Sequence, residues 1–451
     1  QSEREIMAKI TFMGAGSTIF AKAVLGDAMC VESLQDSHIA LYDIDPKRLR
    51  ESRQMLDVLN RNINAGRAKI TTHCGVASRK AALGGSDYVV NAIQVGGYEP
   101  STVIDFEIPR KYGLRQTIAD TLGIGGIFRA LRTIPVCLDF ARDMEAVCPD
   151  AWFLNYVNPM AMITGAMLLG SGVKTVGLCH SVQGCAEGLL WLVGMKDQVK
   201  KLQWKIAGIN HQAWLLEITD GGKDLYPEIK KRAAKMVRDA RKDLKLKGRD
   251  MVRLELMRQL GYYITESSEH NAEYCPWFIK STHPELIEEF RIPLDEYPRR
   301  CISQIEDWLK RSKELTENPH LEHKISGEYG AYIMNAMETD TPYSIGGSVL
   351  NTGIITNLPA KACVEVPCMV DRNGVQPVHV GDLPEQCAAQ NRTNVNVQIL
   401  TVEAALTRRR DHIYQAAMLD PHTGAELTID QIRNLCDDLI KAHGNMLPKY
   451  K

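Results

Sequence analysis

The sequence predicts an α/β fold, with an N-terminal doubly wound parallel sheet followed by a mixed α+β second half. Short apolar runs alternate with helical patterns as far as residue 200. This alternation is typical of a parallel sheet that is covered by helices on both faces. Beyond residue 200, two longer apolar stretches stand close together and charged helical patterns follow. We therefore predict two domains, residues 1–200 and 201–451.

The first half supplies the strands of the parallel sheet. Strands are predicted over residues 8–13, 38–43, 69–74, 86–94, 151–157 and 174–178, with helices over 46–63 and 127–146. Ligands of such sheets bind at the carboxyl ends of the strands. We therefore expect a site built from the loops 14–17, 43–45, 91–98, 155–159 and 179–184.

The second half begins with longer strands and ends with helices. Strands are predicted over residues 204–211 and 214–218, and helical stretches over 229–253, 281–340, 393–419 and 428–443.

The loop after the first strand has the sequence Gly14-Ala-Gly16-Ser17. Its glycines allow the backbone to approach a pyrophosphate, and amides of the following helix then face the phosphates. Phe20 stands near the place of the third glycine of the usual fingerprint. Asp43 ends the second strand, where an acid can bond a ribose hydroxyl and repels the 2′-phosphate of NADP. These residues predict a Rossmann-like NAD site; the alternative is a tight strand–helix turn in a protein with another ligand.

Cys179 and His211 each follow a predicted strand. Thiolate and imidazole together suit a first-row divalent metal, from Mn²⁺ to Zn²⁺. The alternatives are a buried thiol and an imidazole that packs without a ligand. His180 is a candidate metal ligand, proton donor or supporting group, and His270 is a further candidate ligand.

Two loops in the first half carry polar side chains. Asp120 lies in a glycine-rich segment before a helix, which is either a mobile active-site loop or a helix entry with Asp120 near the dipole. Asn158 ends the fifth strand region, where amides suit sugar hydroxyls or nicotinamide, or cap the next helix.

The polar stretch that starts at residue 265 contains Tyr274 and Trp277. Tyr274 can act as a base if a neighbouring charge lowers its pKa. Trp277 can stack on a sugar ring. The alternative is a packed aromatic loop.

Composition argues against several classes of partner. The chain has 54 basic and 55 acidic residues and a formal charge of −1, so we expect neither nucleic acid nor membrane partners. No apolar run approaches the roughly 20 residues that span a bilayer. The N-terminus QSEREIMAKI is charged, so we expect no signal peptide. Twelve scattered cysteines indicate free thiols and a cytoplasmic protein.

The sequence resembles glycoside hydrolase family 4, and most closely its α-galactosidase branch, from Ala8 to Lys451. The segments that carry the resemblance are GAGST, DIDP, NAIQVGGYEPSTVIDFEIPRKYGLRQTIADT, GGIFRALRTIP, NYVNPMA, GLCHSVQG, GINHQAW and TESSEHNAEY. The family is an NAD-dependent exception among glycosidases, most of which use two carboxylates.

The resemblance implies NAD and a divalent metal, most often Mn²⁺, as cofactors. It implies Cys179 and His211 as metal ligands and Asn158 as a substrate contact. It also implies that Asp120 raises the basicity of an active-site tyrosine, for which Tyr274 is the best match. The α-glucosidase branch has an aspartate proton donor directly after the metal cysteine. Here that residue is His180, the first candidate for the donor.

The implied activity is hydrolysis of terminal α-D-galactosides by oxidation, elimination, addition and reduction. The resemblance also implies a homodimer or homotetramer. The alternatives are an NAD-dependent dehydrogenase of a sugar or hydroxy acid, a non-catalytic regulator that binds NAD and sugar, and relatives that act on α-glucosides, α-galacturonides or 6-phospho-glycosides.

Overall fold

In a computed structural model that describes residues 7–451, the backbone forms one 13-stranded sheet. Its strands are β1 Lys9–Met13, β2 His38–Asp43, β3 Lys69–Cys74, β4 Tyr88–Asn91, β5 Trp152–Asn155, β6 Lys174–Leu178, β7 Leu202–Ile209, β8 Gln212–Asp220, β9 Lys223–Asp224, β10 Tyr263–Ile264, β11 Tyr343–Leu350, β12 Cys363–Asp371 and β13 Gly374–Pro377. The predicted absence of a signal peptide concerns an N-terminus whose first six residues lie outside the described part.

Helices cover both faces of the sheet. They are α1 Thr18–Cys30, α2 Pro46–Asn64, α3 Arg79–Leu83, α4 Val103–Lys111, α5 Gly123–Val147, α6 Met160–Gly170, α7 Cys185–Leu192, α8 Tyr226–Lys242, α9 Met251–Leu260, α10 Ser268–Glu273, α11 Glu285–Glu289, α12 Glu296–Glu317, α13 Tyr329–Thr339, α14 Glu385–Thr407, α15 Arg410–Leu419, α16 Pro421–Glu426 and α17 Ile429–His443. Within residues 7–451, no helix combines the length and apolarity that a membrane crossing requires.

The first six strands are parallel and follow the spatial order β3-β2-β1-β4-β5-β6. This is the strand order of dinucleotide-binding sheets, so the predicted α/β fold with a Rossmann-like doubly wound parallel sheet is confirmed. The strand order reverses between β1 and β4, and a crevice therefore opens at their carboxyl ends. Neighbouring residues on β1 face opposite sides, as the pleat requires: Phe12 packs in one apolar core and Met13 in the other.

The sheet continues past β6 into the second half of the chain. There β11, β12, β7, β8 and β10 follow one another as antiparallel neighbours, so the predicted mixed α+β second half is confirmed. Helix α14 packs against α5 and α6 of the first half. The division into residues 1–200 and 201–451 stays a prediction, because the two regions share this sheet.

Several predicted elements differ from the structure at their ends. The predicted helix 393–419 is two helices, because Arg408 has a left-handed φ of 61° and ends α14. The helix predicted over 127–146 begins at Gly123, so the glycine-rich segment before it is a helix entry, which is one of its two predicted alternatives. A Cβ at Gly126 would lie 2.7 Å from the carbonyl carbon of Thr121, so glycine permits close packing at this point.

Candidate active site

A cavity of about 490 Å³ lies at the carboxyl ends of β1, β4, β5 and β6. It is lined by Ser17, Phe20, Ala92, Ile93, Gln94, Asp120, Arg129, Tyr156, Val157, Asn158, Met160, Leu178, Cys179, His180, Ser181, His211, Glu266, His270 and Tyr297. The loops that the strand order brings to this edge therefore place most of the predicted site residues around one space.

Thiol, imidazole and carboxylate groups converge on one wall of the cavity. The Sγ atom of Cys179 lies 3.3 Å from Nε2 of His211, and an Oε2 atom of Glu266 lies 3.5 Å from the same nitrogen. The three donor atoms lie within 4.8 Å of one another. A mixed set of sulfur, nitrogen and oxygen donors fits a first-row divalent metal such as Mn²⁺.

A second set of possible donors adjoins the first and shares His211. It consists of Asp120, His211 and His270, whose donor atoms also lie within 4.8 Å of one another. The Nε2 atom of His270 lies 3.6 Å from Asp120, and its Nδ1 atom accepts from or donates to Ser267 at 2.7 Å. His270, which the sequence analysis gives as a further candidate ligand, therefore lies at the same wall of the cavity.

The backbone is strained at this wall. His211, in the turn between β7 and β8, has a φ of 62°, and Glu266 has a φ of 69°. Non-glycine residues rarely adopt this left-handed region, and where they do the surrounding structure holds them there, commonly at functional sites. The strain aims both side chains at the cavity.

The surroundings of His211 favour a positive charge. Burial lowers its pKa, but the charges of Glu266 and Cys179 outweigh burial and raise the pKa to about 10. A divalent cation at Nε2 would replace that proton. The other ring nitrogen, Nδ1, lies 3.0 Å from the Thr121 hydroxyl and 3.4 Å from that of Tyr274. Such partners orient a metal-binding imidazole.

Tyr274 lies behind His211, outside the cavity lining, and its side chain is fully buried. Burial raises its pKa well above the ordinary value. Two tyrosines line the cavity, Tyr156 and Tyr297. The Tyr156 hydroxyl accepts the backbone N–H of Gly330 at 2.8 Å, whereas the Tyr297 hydroxyl lies 3.3 Å from an Arg129 guanidinium nitrogen. The structure therefore does not bring the predicted base to the cavity and brings two other phenols there. Trp277 also lies outside the lining.

The Asp120 carboxylate contacts three side chains, those of Thr121, Asn158 and His270. It accepts hydrogen bonds from the Thr121 hydroxyl at 2.7 Å and from the Asn158 amide at 3.4 Å. The buried carboxylate of Glu273 accepts backbone N–H groups of Thr117 and Ala119, each at 2.8 Å, and so fixes the preceding turn. Burial raises the pKa of Asp120, but His270 and Arg129 outweigh it and hold the pKa well below its usual value. Asp120 is therefore ionised.

His180 lies at the cavity mouth. Its Nε2 atom lies 2.7 Å from an Oε2 atom of Glu328. This contact raises the pKa of His180. The structure thus pairs the predicted proton donor with a carboxylate that sequence reasoning did not identify.

The glycine loop adjoins the cavity through Ser17. Gly14 has a φ of 86°, and a Cβ there would lie 2.7 Å from the Ala92 carbonyl oxygen. The backbone N–H of Gly16 donates to Asp43 at 2.6 Å. The acid at the end of β2 therefore stands beside the phosphate loop, an arrangement that fits a dinucleotide.

Sequence reasoning missed Glu266, Tyr297 and Glu328. Glu266 carried a weak signal, because it stands in the polar stretch that starts at residue 265. Tyr297 and Glu328 lie 86 and 117 residues beyond His211, and no local pattern links them to it. Tertiary folding alone brings them to the site.

Comparisons with known proteins cover nearly the whole chain. Residues 9–195 match the model of "Family 4 glycosyl hydrolase", and residues 206–423 match the model of its C-terminal domain. An α-galactosidase of Bacillus subtilis is 60% identical over 99% of this chain and 100% of its own length. An α-galactosidase of Rhizobium meliloti is 34% identical over 98% of this chain and 89% of its own length.

A solved structure shares the fold at low identity. It is a 6-phospho-α-glucosidase from gut microorganisms, in complex with NAD and Mn²⁺. It is 19% identical, with a TM-score of 0.76 over 98% of this chain and 100% of its own.

Proposed function

The chain belongs to glycosyl hydrolase family 4, and from that membership we propose that it hydrolyses terminal α-D-galactosides with NAD and a divalent metal. The observation that carries this proposal is the meeting of two features in one cavity. The donor set of Cys179, His211 and Glu266 faces the same space as Ser17 of the dinucleotide loop.

The residues that would hold the cofactors follow from this geometry. Cys179, His211 and Glu266 would bind Mn²⁺, while Gly14, Gly16, Ser17 and Asp43 would bind NAD. When bound, NAD would supply a reversible hydride acceptor for C3 of the sugar, and the metal would supply Lewis acidity toward the sugar oxygens.

The protein's own task is to move protons at C2 and at the glycosidic oxygen. Oxidation at C3 makes the C2 proton acidic, and a tyrosine side chain removes it. The geometry favours Tyr297 over Tyr156, the other tyrosine of the cavity lining, because the Tyr297 hydroxyl lies close to Arg129, whose charge stabilises a phenolate. The Tyr156 hydroxyl instead accepts the backbone N–H of Gly330. Burial and the carboxylate of Asp120 act in the opposite direction and outweigh Arg129, so the net pKa of Tyr297 is raised.

The role of Tyr274 as base stays a prediction. Its contact with His211 supports a different task, which is to hold the imidazole in place. His180 would give its proton to the leaving oxygen, and Asn158 would contact the substrate.

The charge of the cavity supports an uncharged sugar. Within the described chain, Arg129 is the one lysine or arginine side chain that lines the cavity, and it is engaged by Tyr297 and the Asn158 carbonyl oxygen. Asp120 and Glu266 add negative charge. A galacturonide or a 6-phospho-sugar would bring an anion to this space without a spare cation to receive it.

The test is a panel of substrates, assayed with protein that a chelator has freed of metal and in the presence of a thiol reductant. The 4-nitrophenyl α-glycosides of galactose, glucose and galacturonic acid are assayed with NAD⁺, Mn²⁺ or both. We expect hydrolysis of the galactoside when both are present and no accumulation of free NADH. Hydrolysis without NAD⁺ would overturn the proposal. Steady NADH release without hydrolysis would indicate the dehydrogenase alternative.

We also propose a homodimer or homotetramer and a cytoplasmic location, with neither nucleic acid nor membrane partners. These proposals rest on the sequence resemblance and on the balanced charge of the chain.

A further inference from the structure

An irregular segment between α12 and α13, residues 318–328, contacts α1 and ends beside His180. Asp27 of α1 anchors it, with a side chain that is 1% exposed. The Asp27 carboxylate accepts the backbone N–H groups of Ser326, Gly327 and Glu328 at 2.8, 3.0 and 3.1 Å. It also contacts Nε2 of His323 at 2.6 Å. A buried carboxylate with this many donors fixes the end of the segment.

The anchored segment delivers the Glu328 side chain to the cavity mouth. An Oε2 atom of Glu328 lies 2.7 Å from Nε2 of His180. The Glu328 side chain is 12% exposed, whereas the His180 side chain is 56% exposed. An imidazole this exposed has freedom to turn, and the better-buried carboxylate removes that freedom.

We propose that Glu328 is a positioning residue that fixes the His180 imidazole for proton transfer to the leaving oxygen of the substrate. The proposal rests on the proposed function, in which His180 is the proton donor. A carboxylate bound to one ring nitrogen sets the orientation of the other, as in hydrolases that pair an acid with a histidine.

The chemistry assigns separate tasks to the two ring nitrogens. Nε2 stays bound to Glu328, and Nδ1 gives its proton to the glycosidic oxygen. As the C1–O bond breaks, its electron pair goes to that oxygen, and the pair left at C2 forms the C1=C2 double bond. In the return step Nδ1 takes a proton from water, whose oxygen bonds to C1, and the tyrosine hydroxyl that removed the C2 proton returns a proton to C2. Atoms and charge balance over the two steps.

The test compares two substrates that differ in the leaving group. Nitrophenolate departs without a proton, whereas methoxide needs one. Glu328→Gln preserves size and one acceptor but removes the charge. We expect kcat/KM for methyl α-galactoside to fall about 100-fold, within the range of general acid catalysis. For 4-nitrophenyl α-galactoside we expect a fall of less than about 5-fold.

A second readout separates proton transfer from C–O cleavage. In D₂O, removal of the C2 proton precedes the slowed cleavage. Methyl α-galactoside recovered unreacted from E328Q should therefore carry more deuterium at C2 than that recovered from the unmodified protein. Mn²⁺ binding, followed by electron paramagnetic resonance, and NAD⁺ binding, followed by fluorescence quenching, should both be unchanged.

The matched control is Glu322→Gln, an exposed acid in the same segment, for which both substrates should react as before. Equal losses of E328Q on both substrates, no loss on either, or weakened Mn²⁺ binding would overturn the role of Glu328. If the unmodified protein hydrolyses neither substrate, the proposed function itself fails, and the two failures are thus distinguishable.

Discussion

At the scale of single residues, the proposed metal site depends most on Cys179. Its thiol supplies the soft donor of the set that includes His211 and Glu266. We expect Cys179→Ala to weaken Mn²⁺ binding by more than about 100-fold. Loss of a residue that only hydrogen-bonds to a metal ligand already lowers metal affinity by about 10- to 100-fold. Titration followed by electron paramagnetic resonance measures this. Cys74→Ala, at an exposed cysteine, is the control and should bind Mn²⁺ normally. If C179A binds Mn²⁺ as tightly as the unmodified protein does, the Cys179 thiol is not a metal ligand.

Substitutions of Tyr297 and Tyr274 should differ in their effect on proton transfer at C2. Tyr297→Phe removes a hydroxyl that lines the cavity, so exchange of the C2 proton with D₂O should fall by about 10²- to 10⁴-fold. Tyr274→Phe leaves the Thr121 hydroxyl beside Nδ1 of His211, so exchange should fall much less. Nuclear magnetic resonance of the recovered sugar measures both. A larger fall in C2 exchange for Tyr274→Phe than for Tyr297→Phe would indicate that Tyr274 is the base.

The sequence predicted the site residues that stand directly after strands or in recognisable segments. Ser17, Asp120, Asn158, Cys179, His180 and His211 all line the cavity. Tyr297 and Glu328 were beyond prediction, because they come from distant parts of the chain with no local pattern. The family resemblance gives Tyr274 as the best match for the active-site tyrosine, whereas packing turns its hydroxyl toward Nδ1 of His211.

At the scale of elements, strand β12 carries a buried acid inside the sheet. Glu365 is 1% exposed. Its Oε1 atom accepts from Asn210 at 3.1 Å, and Oε2 has no hydrogen-bond partner among residues 7–451. Burial raises its pKa to about 7, although Asn210 and His211 act to lower it.

The raised pKa of Glu365 predicts that the stability of the folded protein depends on pH. An unfolded glutamate releases its proton near pH 4.3, whereas folded Glu365 keeps it to about pH 7. The folded state therefore binds more protons between these values, and the free energy of unfolding falls as pH rises through that window. Glu365→Gln cannot titrate, so its stability relative to the parent should rise by about 2–4 kcal/mol from pH 4 to pH 8.

Denaturant unfolding of the metal-free proteins at each pH measures the difference. Glu217→Gln, at an exposed position on β8, is the control and should follow the parent at every pH. A difference between E365Q and the parent that stays constant with pH would contradict the raised pKa.

Element boundaries show where sequence patterns lose precision. Strands β2, β3 and β6 have the predicted ends, because turn residues flank apolar runs there. The pattern places the start of α5 at residue 127, because glycine lowers helix propensity, whereas the structure includes the preceding glycine run in the helix. Its close contact with Thr121 outweighs that propensity.

At the scale of the whole molecule, alternation of strands and helices predicted the parallel sheet but not its continuation. Residue Gly177 of β6 pairs with Ser348 of β11, a contact over 171 positions that no local periodicity reveals. Because of this shared sheet, residues 1–200 alone would expose the edge of β6 and the α14-facing sides of α5 and α6. We expect that fragment to bind an apolar dye and to lack a cooperative thermal transition. A sharp transition would show that it folds alone.

In the proposed mechanism, glycoside cleavage proceeds through removal of the C2 proton. The most direct measurement is hydrolysis of 4-nitrophenyl α-galactoside in D₂O with NAD⁺ and Mn²⁺, followed by nuclear magnetic resonance of the released galactose. We expect deuterium at C2, because the abstracted proton is replaced from solvent. Galactose that is released with its C2 hydrogen fully retained would contradict the account and indicate direct displacement at C1.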